Sequence, residues 1–97
     1  MATDLDLHIG RRLRRRRRVL GLTQQQLGER LNIRFQQVQK YECGANRISA
    51  ARLWYLAAAL ETDVGYFYDG FEAPVAAPHI PSELYGEDDT VVKMVGR

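Results

Sequence analysis

All three prolines of this chain, Pro74, Pro78 and Pro81, fall within one stretch from Ala73 to Pro81, and no proline precedes it. Proline lacks a backbone donor and fixes φ, so this stretch reads against helix, while everything before it is free to form unbroken helices. No window before it alternates β-branched and polar residues in the manner of a strand. The expectation is an all-α domain over residues 5–70 and a proline-containing acidic tail over 71–97, flexible or docked on a partner. Ninety-seven residues leave room for one core, which tells against an enzyme with a separate substrate lobe.

Periodicity divides the domain into five short helices, a small orthogonal bundle. Leu5, Ile9, Leu13 and Leu20 line one face of a first helix, capped by Thr3 or Asp4 and stopped by Gly21. Thr23 with Gln26 matches a capping box, so Gln24 to Leu31 reads as a second helix; Asn32 after it tolerates left-handed dihedrals. A third runs from about Arg34 to Glu42 or Cys43 and closes at Gly44. Ser49 caps a fourth, with Leu53, Leu56, Ala57 and Leu60 as its buried stripe, and Asp63 opens a last turn that offers Val64 and Phe67 to the core.

Charge is unevenly spread. Residues 1–70 hold 12 Lys+Arg against 7 Asp+Glu, or +5, and residues 71–97 hold 2 against 5, or −3, which agrees with the net +2. A basic body with an acidic tail points to nucleic acid or another anionic surface as partner. No apolar run approaches the roughly 20 residues of a membrane span, no secretory signal opens the chain, and one cysteine, Cys43, suits a reducing cytoplasm. Catalysis finds no foothold. His8 and His79 are far apart, no CxxC or HxxxH spacing could hold a metal, and neither Ser49 nor Ser82 lies beside a histidine and an acid. Neither cofactor nor metal is expected.

The third helix carries the functional signal. With Gln36 at zero and about 100° per residue, Gln39 falls at roughly 300°, Lys40 at about 40° and Cys43 at about 340°, whereas Val38, Tyr41 and Glu42 fall at roughly 200°, 140° and 240°. One face is polar and amide-rich, and the other offers Val38 and Tyr41 to the core. Glutamine matches the donor and acceptor pair of adenine N6/N7 and lysine donates to guanine O6/N7, so this face has major-groove chemistry.

At this point the chain resembles the helix-turn-helix domains of phage repressor and Cro type, the XRE family, over Ile9 to Tyr68. The resemblance rests on Ile9-Gly10-Arg11-Arg12-Leu13, Gly21-Leu22-Thr23-Gln24, Gln26-Leu27-Gly28, Leu31-Asn32-Ile33, Val38 to Gly44 and Leu56-Ala57-Ala58-Ala59-Leu60. It implies a compact five-helix bundle of the lambda-repressor-like type that binds double-stranded DNA as a homodimer on a two-fold-related operator, with Arg34 to Cys43 in the major groove. It further implies base contacts from Phe35, Gln36 and Lys40, phosphate contacts from Gln24, Arg34 and Arg47, and an internal ion pair of Arg17 with Glu42. Three positions depart from the pattern: Asn32 replaces the turn glycine, Arg34 the usual Ser or Thr cap, and Phe35 a polar base reader, for which contact with thymine methyls is the expectation.

Blander readings stand beside these. The run Arg14 to Arg18 circles its helix, so it is no single face; apart from Arg17 it serves phosphate attraction or plain solvation. Trp54, Tyr55, Tyr66 and Tyr68 read as core or partly buried aromatics, with a dimer interface as the alternative. The function expected is a sequence-specific transcriptional regulator, a cytoplasmic repressor. The alternatives are an antitoxin or phage-type regulator whose tail binds a partner protein, or a tail that shields the basic face.

Overall fold

A computed structural model describes residues 2–72, and the expectations for the tail beyond Glu72 lie outside the described residues. Four α-helices, α1 (Asp4–Val19), α2 (Gln24–Leu31), α3 (Phe35–Glu42) and α4 (Ala50–Ala59), are followed by a 3-10 helix at Val64–Tyr68. Among the described residues there is no strand, so the all-α class holds. No described helix is long and apolar enough to cross a membrane.

Helix starts follow side-chain chemistry. Thr3 caps α1 and Thr23 caps α2, each in a reciprocal box, with Asp6 and Gln26 returning the bond to the cap backbone. Ser49 caps α4 by accepting from the Arg52 N–H. Arg34, at the start of α3, makes no side-chain cap bond. Asn32 takes φ 57° at the end of α2, and Ile33 N–H then donates to Gly28 O at 2.9 Å, which sets the turn into α3. That turn lies so close to α2 that a Cβ on Gly28 would sit 2.6 Å from Ile33 O.

The fifth element departs from a full helix. Its five residues include three aromatics, poor helix formers, and a segment so short settles into 3-10 geometry. It is held from outside: Phe67 is fully buried, and Arg12 Nε donates to Tyr66 O at 2.8 Å while its guanidinium lies 3.8 Å from the Tyr66 ring centroid.

Leu13, Leu27, Val38, Tyr41, Leu53, Leu56, Ala57, Leu60 and Phe67 form one core drawn from every element. Full burial of a Leu- or Phe-sized side chain contributes about 1.5–3 kcal/mol. Trp54 and Tyr55 do not join it. They are 66% and 62% exposed, and Tyr68 is 44% exposed, which corrects the core reading of these three; Tyr66 is half-buried. The reason lies in α4 itself, where positions 54 and 55 stand about 100° and 200° round from Leu53, away from the buried stripe.

The arginine run is also corrected. Arg16 Nε donates to Leu60 O at 2.8 Å and its Nη2 to Glu61 O at 3.0 Å, while Arg30 Nη1 donates to Ala59 O at 2.8 Å. These two cations satisfy carbonyls left open at the end of α4, where the helix dipole favours positive charge.

Candidate nucleic-acid interface

Two contacts behind α3 fix its orientation. Gly10 of α1 lies against its end so tightly that a Cβ there would meet Glu42 O at 2.5 Å and Tyr41 O at 2.7 Å. Beside it Arg17 forks onto Glu42, Nε to Oε2 at 2.5 Å and Nη2 to Oε1 at 3.1 Å, and its Nη1 donates to Leu22 O at 2.8 Å. Both residues are only 8% exposed. Their charges are thus mutually compensated out of water, as buried charges must be.

The opposite side of α3 faces solvent. Gln36, Gln39, Lys40 and Cys43 are exposed, Phe35 is 43% exposed, and Val38 and Tyr41 are buried behind them. Arg34, Gln36 and Lys40 meet around an open cleft of about 500 Å³ that Gln37, Tyr41 and Arg52 also line. Phe35 borders a second cleft with Gln25, Glu29, Arg34 and Gln36. The candidate base readers and Arg34 therefore share one surface.

Gln24 and Arg47 are placed differently. The Gln24 amide donates to Glu42 Oε1 at 3.0 Å, so one of its two amide protons is committed to the Arg17–Glu42 pair and the other is left for a second acceptor. Arg47 lies in the loop between α3 and α4, its Nε 3.1 Å from Asp6 Oδ2, at a cleft shared with Gln37, Tyr41 and Asn46. Burial of Asp6 works against its ionisation. The Thr3 N–H, 2.9 Å from Oδ2, and the Arg47 guanidinium outweigh that, so its carboxyl is held below the usual carboxylate value.

This shift has a definite pH consequence. A carboxyl whose folded pKa is depressed stabilises the fold above its unfolded value, about 3.9, and that contribution is lost as pH falls through the folded value. Melting curves from pH 7 to pH 3 should therefore show Asp6→Asn less stable than wild type at neutral pH, with the difference closing at the acid end. A constant difference across that range would refute the assignment.

Sequence reasoning missed Arg52, which is half-buried in the first turn of α4 yet lines the cleft of Gln36 and Lys40. One signal was available. A cation in a first turn opposes the helix dipole, so the charge of Arg52 adds nothing to the stability of its own helix. Among the described residues no group of three His, Cys, Asp or Glu side chains could hold a metal ion.

Comparison with known proteins places this architecture. An uncharacterized HTH-type transcriptional regulator of Sinorhizobium medicae is 48% identical over 65 residues, 67% of this chain and 47% of that protein. An uncharacterized transcriptional regulator in the ATPase CF(0) region of Rhodospirillum rubrum is 48% identical over 68 residues, 70% of this chain and 63% of that protein. The chain thus spans about half to three fifths of the length of these relatives. The restriction-modification controller protein C.AhdI of Aeromonas hydrophila superposes with a TM-score of 0.62 at 30% identity, covering 66% of this chain and 96% of that one. Residues 13–67 match the HTH_3 family model, described as helix-turn-helix, and with that match over the two helices and turn built above, the chain belongs to the HTH_3 helix-turn-helix family.

Proposed function

We propose that the chain is a sequence-specific double-stranded DNA-binding transcriptional regulator, a repressor acting by occlusion, working as a cytoplasmic homodimer on a two-fold-related operator. The observation that carries this reading is the outer face of α3, where Gln36 and Lys40 stand exposed while Val38 and Tyr41 anchor the helix from behind. An α-helix fits the major groove, and an amide and an ammonium are the groups that discriminate base edges there. Phe35, Gln36 and Lys40 read bases, with Phe35 against thymine methyls. Gln24, Arg34 and Arg47 set register on phosphates, and Arg52 joins them from the rim of the same cleft. The reading calls for no cofactor. The family match and the relatives named as transcriptional regulators support it.

Selection of binding sites from random duplexes, followed by titration against salt, tests the reading. A symmetric enriched site and a steep negative salt slope are expected. On that site Gln36→Ala should cost about 1–3 kcal/mol and relax preference at one base pair, whereas Arg47→Ala should weaken all sequences alike and reduce the salt slope by about 1. Equal loss on every sequence from Gln36→Ala would contradict the base-reading role.

A further inference from the structure

We propose that the α1 face formed by Arg11, Arg14, Arg15 and Arg18 is a second, sequence-independent surface for the backbone of duplex DNA, engaging phosphates that flank the site read by α3. The inference rests on the DNA-binding reading of the chain and adds a contact to it. Its starting point is a segregation that the sequence conceals. Seven arginines occur between positions 11 and 18. Arg12, Arg16 and Arg17 turn inward onto Tyr66 O, Leu60 O and Glu42. The other four are exposed and line one shallow concavity with Val19. Their spacing of i, i+3, i+4 and i+7 confines them to about 100° of the helix and about 10 Å of its axis.

Among the described residues none of the four has an acidic partner; the ion pairs there engage Arg12, Arg17, Arg30 and Arg47. Like charges at these spacings repel one another and weaken a helix, so the arrangement opposes the fold until an anion neutralises it. Guanidinium is the cation whose planar fork matches phosphate oxygens. Along one strand a duplex carries one phosphate per about 3.4 Å of axis, so a stripe of about 10 Å spans about three phosphates of that strand.

Two features favour DNA over a lipid surface. A helix bound at a membrane inserts its apolar side, but that side of α1 is spent on the protein core, with Leu13 fully buried and Ile9 and Leu20 packed against the cluster. One edge of the stripe also lies toward the reading helix. Arg14 is about 40° round α1 from Gly10, which abuts the Tyr41 and Glu42 carbonyls at the end of α3. On this proposal a duplex lying along α3 continues past that end on the Arg14 side of α1.

The test compares the full chain with its R11Q/R14Q/R15Q/R18Q variant. Glutamine matches arginine in helix propensity and removes the repulsion, so the variant should melt no lower than wild type. Both are titrated from 50 to 200 mM salt on two duplexes with the same selected site, one ending at its edges and one extended by about 10 base pairs on each side, roughly one helical turn. Wild type should bind the extended duplex about 10-fold tighter at the lowest salt. The variant should bind both alike, keep its base preference, and show a salt slope shallower by about 2 to 4, at about 0.9 per phosphate contact. An unchanged slope with an unchanged gain from the flanks would overturn the proposal. So would loss of sedimentation with phosphatidylserine vesicles in the variant while its duplex titrations match wild type. A wild-type chain that gains from the flanks yet prefers no sequence would sink the regulator reading and leave the stripe standing.

Discussion

Gly10→Ala is expected to destabilise the domain by about 2–3 kcal/mol and lower its melting temperature by about 10–20 °C, although the substitution favours helix. In an exposed helix interior the added methyl would contribute about 1 kcal/mol of stability through lower chain entropy. Here it lands 2.5 Å from Glu42 O, 2.7 Å from Tyr41 O and 2.9 Å from Glu42 C. All three atoms are backbone, so no side chain can swing aside, and α1 must move off α3. That motion also pulls Arg17 away from Glu42, which turns a steric cost into an electrostatic one. At about 0.05–0.15 kcal/mol per residue, a domain of about 70 residues has about 4–10 kcal/mol in all, so the loss is a large fraction of its stability. Gly65→Ala is the matched control. Its Cβ would meet only Asp63 Oδ1, at 3.3 Å, a side-chain oxygen that caps the 3-10 helix and need give by only a few tenths of an ångström, so it should melt well above Gly10→Ala. Equal melting temperatures for the two variants would show that the α1–α3 approach is not a constraint.

Much of this architecture was legible because it depends on local chemistry. Thr23 and Gln26 announce the start of α2, Asn32 its end, and Ser49 the start of α4, since each satisfies backbone groups within three or four residues of itself. The exposed face of α3 follows in the same way, because helical arithmetic on Val38 and Tyr41 leaves Gln36 and Lys40 outside. What was not legible depends on neighbours distant in sequence. Nothing near Arg12 or Arg16 says that they bond carbonyls 54 and 44 residues away. Without those partners the arginine run looks like a uniform ring of charge. With them it resolves into an inward set and the stripe of Arg11, Arg14, Arg15 and Arg18. Arg52 escaped notice for the same reason, since its place beside Lys40 depends on how α4 starts against α3. Gln24 shows a subtler limit. Its position opening α2 was readable, but its bond to Glu42 required knowing where α3 ends.

Arg17→Met is expected to cost about 3–5 kcal/mol, the usual penalty for removing one partner of a buried ion pair. Methionine fills much of the space of the arginine stem, so the loss is chiefly electrostatic. Glu42, 8% exposed, would be left without its cation, with the Gln24 amide as its remaining side-chain donor. The pair itself need not be a large source of stability, because desolvating two charges offsets most of their attraction. The double variant Arg17→Met/Glu42→Gln separates the two statements. It removes the stranded charge and keeps an acceptor for Gln24, so it should recover at least half of the loss in a denaturant-based double-mutant cycle. If the double variant is instead as unstable as Arg17→Met alone, the cost lies in the lost Arg17 bond to Leu22 O and in stem packing. The consequence for recognition differs between the outcomes. A recovered double variant that binds the duplex selected by wild type with unchanged preference would mean that the ion pair acts through stability alone. A recovered fold with relaxed preference at the bases assigned to Gln36 or Lys40 would mean that the Arg17–Glu42 fork, by holding the end of α3, also sets the angle at which those side chains meet the groove.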